Sequence, residues 1–201
     1  FEISFDDFIL ADLSRTPNDN KNSPFNPEKY MLYNDCLLGQ LDSTVRDGDA
    51  ETYADCAEKL KRVETDSQYG YLFKTLRILC QVLMVKFDIG IRTRKAYEGK
   101  DISALKNIIA DYDRLLVLID AFYVAFREQW EKENKPNGFE VQDIRIGGLR
   151  LRVQHLKERL EAFAEGKIPS LPELEETILD FYGSEKAFNC SPTCFNNWGA
   201  S

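Results

Sequence analysis

The 201-residue chain has no apolar segment long enough to cross a membrane. A membrane-spanning helix needs about 20 consecutive apolar residues, and the longest uncharged candidate, Ile78 to Val85, is far shorter. Basic residues are also few, because 26 Lys and Arg face 34 Asp and Glu and leave a net charge of −8. An acidic surface repels nucleic-acid phosphates and anionic lipids. We therefore expect neither nucleic-acid nor membrane partners. The negative charge does not disfavour binding of neutral sugars.

Metal-binding and nucleophilic residues are scarce. The one histidine, His155, lies beside an apolar stripe with no Ser or Cys near it, so we predict a surface or bundle-edge residue. A zinc site would need at least three scattered cysteines, and we predict no metal site. Two tail cysteines, Cys190 and Cys194, could pair in an oxidising compartment. Three others lie in apolar helical patterns and are predicted to be buried thiols: Cys36, Cys56 and Cys80.

Motifs of common enzyme classes are missing as well. The chain has no Gly-rich phosphate loop, no Gly-x-Ser-x-Gly elbow and no Walker-type lysine. We predict that the chain has no catalytic residue and needs no cofactor.

Four long helical patterns are present. The clearest, capped by Asp101 or Ser103, has apolar residues spaced 3-4-3-4-3-4: Leu105, Ile108, Tyr112, Leu115, Ile119, Phe122 and Phe126. The next has the same spacing: Ile146, Leu149, Val153, Leu156, Leu160 and Phe163. Gly166 and Pro169 end it.

The two earlier long patterns are less regular. After a break, Asp49 is expected to cap a helix with a stripe of Ala50, Tyr53, Ala57 and Leu60. Another helix is expected to continue to about Gly99, with Gly90 allowing a close contact and this stripe: Leu72, Leu76, Leu79, Leu83 and Phe87.

Shorter helices are predicted at both ends, at residues 1–13, at Glu28 to Leu38 before Gly39, and at about Pro172 to Phe181. The sequence thus predicts a single all-α domain over 1–201, an antiparallel helical bundle of about four long helices with an irregular tail at 183–201.

The stretch Trp130 to Arg152 joins the last two long helices. Pro136 and Asn137-Gly138 predict a reversal. The polar residues that follow are more numerous than a plain reversal requires.

This stretch carries a resemblance to a known family. It contains Asn134-Lys135-Pro136-x-Gly138-Phe139-x-Val141-Gln142-Asp143-Ile144-Arg145-x-Gly147-Gly148-Leu149. Two more motifs occur in order, Tyr30-Met31-Leu32-Tyr33-Asn34-Asp35-x-Leu37-Leu38-Gly39 and Asp180-Phe181-Tyr182-Gly183 with Phe195-Asn196-x-Trp198. Together they resemble the helical C-terminal region of a bacterial branch of the family-twenty glycoside hydrolases, the β-N-acetylhexosaminidases. The resemblance covers about Phe8 to Trp198.

The resemblance implies that the chemistry lies elsewhere. In this family the substrate's acetamido group is the nucleophile, and an adjacent Asp-Glu pair on a (β/α)₈ barrel orients it and protonates the leaving oxygen. This chain has no Asp-Glu dipeptide, and its own pairs, Asp6-Asp7 and Glu175-Glu176, lie on polar surfaces. We expect the chain to be a fragment of a longer enzyme. In that enzyme it is a non-catalytic accessory domain that packs on an upstream barrel, and it could also form a homodimer.

Two interpretations of the turn remain open. In the structural one, Trp130 packs at the bundle end, Asp143 and Arg145 form caps or ion pairs, and Gly147-Gly148 allow a close helix contact. In the functional one, the turn helps to wall the sugar pocket, with Trp130 stacking on a sugar and Asn134, Asp143 and Arg145 bonding to hydroxyls.

A docking patch is also expected if the domain is separated from its barrel, at Phe5, Phe8, Tyr33 and Trp198. Tyr182 and Trp198 are weaker candidates for sugar contacts. The alternative to the whole interpretation is a stand-alone helical protein-interaction module unrelated to carbohydrate. A cytoplasmic location is slightly favoured over secretion.

Overall fold

The computed structural model describes residues 31–65 and 68–178, and over those residues it is helical and contains no strand. This part of the chain forms a 3-10 helix, Asp42–Thr44, and six α-helices: α1 Asp49–Val63, α2 Gly70–Lys86, α3 Ile89–Glu98, α4 Ile102–Glu133, α5 Phe139–Ala164 and α6 Pro172–Glu175. The long helices pack side by side, α1 on α2, α2 on α4 and α4 on α5. The predicted all-α bundle is confirmed.

The longest helix, α4, follows the prediction closely. Its predicted row is buried except for Phe126, which is partly buried: Leu105, Ile108, Tyr112, Leu115, Ile119 and Phe122. Asp101 is the N-cap, because its carboxylate accepts a hydrogen bond of 2.9 Å from the backbone N–H of Ala104. That bond decides between the two predicted caps in favour of Asp101 over Ser103.

The turn and the helix after it are also confirmed. Gly138 has a φ of +105°, the left-handed conformation that the Asn-Gly pair predicted, and α5 starts at Phe139. The predicted core row of α5 is buried from Ile146 to Leu160, with Phe163 partly buried. Gly166, at a φ of +73°, follows the helix as expected.

One predicted helix is in fact two. The pattern expected to run to Gly99 breaks after Lys86, and α3 begins at Ile89. A side chain on Gly90 would place its Cβ 2.7 Å from the carbonyl oxygen of Cys36, so the segment around Cys36 lies directly on the backbone there. The break lets α3 turn away and pack on α4. The expected close approach at Gly90 is confirmed, with a loop as the neighbour instead of a helix.

The stripe predicted for α2 is only partly correct. Leu83 and Phe87 are buried, but Leu72, Leu76 and Leu79 are half-buried. Because α2 lies between α1 and α4, it buries side chains on two sides, and further buried residues fall outside the predicted row: Phe73, Ile78, Cys80, Val82 and Val85.

The predicted helix from Glu28 to Leu38 is wrong where the chain is described. Met31–Tyr33 form one 3-10 turn, and residues 36–38 form a hydrogen-bonded turn. The Asp35 carboxylate accepts from the backbone N–H groups of Leu37 and Leu38 at 2.9 and 3.0 Å. Such side-chain bonds compete with helical ones, which explains the loop.

Two helix ends also differ from the prediction. The N-cap of α1 is Gly48, and Asp49 is the first helical residue, whose carboxylate accepts from the backbone N–H of Arg46 at 2.8 Å. The predicted helix from Pro172 to Phe181 stops at Glu175, because Glu176 has extended backbone angles.

Several predictions lie outside the described residues. These are the N-terminal helix at 1–13 with Phe5 and Phe8, and everything after residue 178: Tyr182, Cys190, Cys194, Trp198 and the tail.

The core has two adjoining parts. One lies among α2, α3, α4, α5 and α6, and the other lies between α1, α2 and the segment from Met31 to Leu41. The prediction of buried thiols at Cys36, Cys56 and Cys80 is confirmed. No helix within the described ranges is long and apolar enough to span a bilayer.

Candidate functional site

Trp130 lies at the end of the α4–α5 hairpin and packs inside the domain. Its ring is 6.4 Å from the ring of Phe126 and 5.7 Å from that of Phe139. Its indole N–H donates to the backbone carbonyl of Lys135 at 2.9 Å, which fastens the turn to the helix. The ring and the indole N–H of Trp130 therefore already have contacts within the domain, as the structural interpretation expected.

The other predicted site residues do not form one cluster with Trp130. Asn134 is exposed in the turn, and its side chain bonds to none of the described residues. Asp143 and Arg145 are both on α5, but two residues correspond to about 200° around a helix. Asp143 faces α4, where it accepts a hydrogen bond of 2.9 Å from the Tyr123 hydroxyl. Arg145 lies on the opposite side of α5, near Tyr33.

Asp143 does line an open cleft of about 280 Å³ between α4 and α5. The cleft has two isoleucines in its wall and a set of polar residues around them: Ile119, Asp120, Tyr123, Asp143, Ile146, Gly147 and Arg150. Arg150 binds both oxygens of Asp120, at 2.6 and 3.2 Å. The hydrogen bond to Asp143 is the main cause that raises the pKa of Tyr123, and burial is the second. The hydroxyl of Tyr123 therefore stays protonated and donates its hydrogen bond.

Sequence reasoning found Asp143 but missed its neighbours in the cleft. Asp120 and Tyr123 lie three residues apart on α4, and Arg150 lies seven residues after Asp143 on α5. These spacings place each pair on one helix face. The signal was present in the sequence, but the pairing between helices depends on how α4 and α5 align.

A second polar cluster fastens the segment from Met31 to Asp42 to the helices. The buried Lys86 ammonium donates to the carbonyl of Met31 at 3.1 Å and to that of Asn34. Arg94 donates to the carbonyls of Leu37 and Leu174 at 2.6 and 2.5 Å. The segment is thus held mainly through its backbone.

Within the same segment, two carboxylates have opposite environments. Burial acts to raise the pKa of Asp35, but the hydrogen bond and charge of Arg152, together with the backbone N–H groups of Leu38 and Leu37, outweigh it, and the pKa is lowered overall. Burial raises the pKa of Asp42, although Asn34 donates to its carboxylate at 2.9 Å. The motif Tyr33-Asn34-Asp35 therefore builds a loop with internal bonds, as the expected structural turn requires.

The structural interpretation expected Gly147 and Gly148 to allow a close helix contact, and this expectation is wrong for the described helices. A Cβ added at Gly147 or Gly148 would meet no atom within 4 Å, so neither glycine permits a close contact with a described helix. Gly147 borders the cleft, and Gly148 is half-buried beside it.

The histidine and the described cysteines lie outside the cleft. His155 is exposed, with Nδ1 3.5 Å from Nη1 of Arg152, in agreement with its predicted surface position. In the part of the chain that the structure describes, no group of three His, Cys, Asp or Glu could hold a metal ion.

Comparison with known proteins places the chain in a family. A family model described as the Glycoside Hydrolase 20C C-terminal domain matches residues 6–191. A comparison with curated proteins finds no match.

Proposed function

The chain belongs to the family of glycoside hydrolase 20C C-terminal domains, and from this membership we propose that it is the non-catalytic accessory domain of a β-N-acetylhexosaminidase. In this proposal it packs on the catalytic barrel of the same polypeptide. Family membership makes a stand-alone interaction module unrelated to carbohydrate the weaker alternative.

The observation that carries the non-catalytic role is the state of the carboxylates in the α4–α5 cleft. Glycoside hydrolysis needs an acid that is free to protonate the leaving oxygen, beside a second group that stabilises the sugar cation. Asp120 already accepts two hydrogen bonds from Arg150, and Asp143 accepts one from Tyr123. Both carboxylates therefore serve to join α4 to α5.

The proposal also includes a role for the turn as part of the wall of the sugar pocket. Trp130, Asn134, Asp143 and Arg145 are the candidates. Trp130 and Asp143 are engaged by Lys135 and Tyr123. The side chains of Asn134 and Arg145 bond to no other described residue, so these two are the ones that can reach a sugar hydroxyl or an acceptor on the barrel. A homodimer would allow the same contact with the partner's barrel.

Kinetics of the full-length enzyme test the wall. We expect Asn134→Ala and Arg145→Ala each to raise KM for a chromogenic N-acetylglucosaminide about fivefold, because one hydrogen bond is worth about 1 kcal/mol. Their kcat should change little, since neither side chain acts on the reacting bond. Arg114→Ala is the matched control, an exposed arginine on α4, and should leave KM unchanged. If KM is unchanged in both test variants, the turn is not part of the wall of the sugar pocket.

A further inference from the structure

The helix α5 is apolar on two sides. Besides its buried row, it exposes Val141, Ile144 and Leu151, with exposed fractions of 41%, 45% and 65%. With Gly148 these residues have a 3-4-3 spacing, which places them in one line along the helix. The line runs roughly opposite the core row and is about 15 Å long, at 1.5 Å per residue. We call this line (Val141, Ile144, Gly148 and Leu151) the outer row of α5.

The outer row has a depression at its centre, because Gly147 and Gly148 have no side chain. Each glycine within a helix costs about 1 kcal/mol relative to alanine. Nothing in the described part of the chain requires this cost at Gly147 or Gly148, because a Cβ at either would meet no atom within 4 Å. Their bare backbone leaves a shallow notch, and a surface that approaches α5 from outside can come closer there than elsewhere.

One charge beside the outer row is also unmatched. Four basic side chains of α5 have ion-pair partners: Arg150, Arg152, Lys157 and Arg159. Arg145, which lies between the outer row and the core row, has no such partner among the described residues. A surface that covers the row would therefore be apolar in the middle and would offer an acceptor oxygen to Arg145.

The path of the chain indicates what that surface is. The family is a C-terminal domain, so the catalytic domain comes earlier in the polypeptide. The described chain starts at Met31 and runs along the edge of α5, with Tyr33 near Arg145 and Asp35 bonded to Arg152 at 2.6 Å. The first described residues of the chain therefore lie beside the outer row, and the catalytic domain precedes them in the polypeptide.

We propose that the outer row of α5 is the docking surface for the catalytic domain of the same polypeptide. The inference rests on the proposed function and adds the location of the contact. An apolar ridge of the catalytic domain fits the notch at Gly147 and Gly148, and an acceptor oxygen faces Arg145. The cleft between α4 and α5 then borders the contact, which brings Asp143 close to the barrel.

Thiol labelling of the full-length enzyme tests this surface. Leu151→Cys and Val117→Cys are a matched pair, because both residues are apolar, lie on long helices and are exposed to 65% and 68%. We expect a maleimide to modify the cysteine at 151 at least about tenfold more slowly than that at 117, since reaction at 151 requires the two domains to open. Peptide mass spectrometry separates both sites from the native cysteines. Equal rates would overturn the proposal.

Dilution distinguishes the catalytic domain from a second copy. Protection by a domain of the same polypeptide does not depend on enzyme concentration, whereas protection by a second copy does. We expect the slow labelling at 151 to persist at concentrations where light scattering shows a monomer. Protection that disappears on dilution would assign the outer row to a dimer contact and overturn the proposal.

A truncation separates failure of this inference from failure of the proposed function. If the cysteine at 151 labels freely while removal of the helical domain still impairs the enzyme, the docking surface is wrong and the accessory role stands. If removal of the helical domain changes neither activity nor stability, the accessory role fails and the inference fails with it.

Discussion

Asp35 and Arg152 join two parts of the chain that are 117 residues apart, with 2.6 Å between Oδ2 of the carboxylate and Nε of the guanidinium. The bond ties the loop after Met31 to the middle of α5. Lys86 and Arg94 hold the same loop through its backbone carbonyls. The loop is therefore part of the folded core, and the position of α5 depends on it.

Asp35→Asn should lower the free energy of unfolding by about 1.5–3 kcal/mol, the range for a hydrogen bond to a charged group. The amide oxygen of Asn can still accept from the N–H groups of Leu37 and Leu38, so the change removes mainly the pair with Arg152. Urea unfolding of the chain measures it. Glu131→Gln is the control, because its pair with Arg127 is exposed and 3.8 Å long, and it should change stability by less than about 0.5 kcal/mol. Equal effects of the two changes would contradict this assignment.

The stabilisation by Asp35 should also depend on pH. Its pKa is lower in the folded protein than in the unfolded chain, where it is about 4. Its contribution is therefore complete above pH about 4 and is lost as pH falls through the folded pKa. The difference in unfolding free energy between the native chain and Asp35→Asn should be constant from neutral pH to mildly acidic pH and should shrink below about 4. Asp42 is present in both proteins, so its opposite shift cancels except for the small part that the charge of Asp35 causes. If the difference in unfolding free energy grows on acidification, the predicted direction of the pKa shift of Asp35 is wrong.

Two glycines on helices should respond in opposite ways to alanine. Gly90→Ala places a Cβ 2.7 Å from the carbonyl oxygen of Cys36, and the forced shift should lower stability by about 1–3 kcal/mol. Gly148→Ala meets nothing within 4 Å and should raise the stability of the chain by up to about 1 kcal/mol through helix propensity. Thermal or urea unfolding distinguishes them. Loss of stability in Gly148→Ala would show that the described chain itself needs this glycine.

The start of α4 offers a test of the cap. Asp101→Ala removes the acceptor for the N–H of Ala104 and should cost about 1 kcal/mol. Ser103→Ala, two residues further on, should leave stability nearly unchanged because Ser103 is not the cap. Urea unfolding of both variants is the measurement, and a larger loss for Ser103→Ala would reverse the assignment.

The sequence predicted best where one apolar row faces one neighbour. The rows of α4 and α5 have regular spacing, since each helix buries one continuous side. The pattern of α2 was less informative because that helix is buried between α1 and α4. The break after Lys86 follows from the loop at Cys36 lying on Gly90, a contact between distant residues that periodicity does not contain.

The candidate site, too, could be predicted only in part from the sequence. The sequence singled out Asp143 because polar residues follow the turn in unusual number. Its cleft partners Asp120 and Arg150 occupy ordinary polar positions on two helices, and only the alignment of α4 with α5 brings them together. The outer row of α5 was present in the sequence at helical spacing, but its exposure becomes visible only after the core row has been assigned.

The central claim, that this chain supports a catalytic neighbour and performs no chemistry itself, is tested most directly by hydrolysis of a chromogenic β-N-acetylglucosaminide by the purified chain. We expect release of the chromophore at the rate of the buffer control. Turnover that follows the protein through purification and falls when Asp120 or Asp143 is replaced by Asn would contradict it.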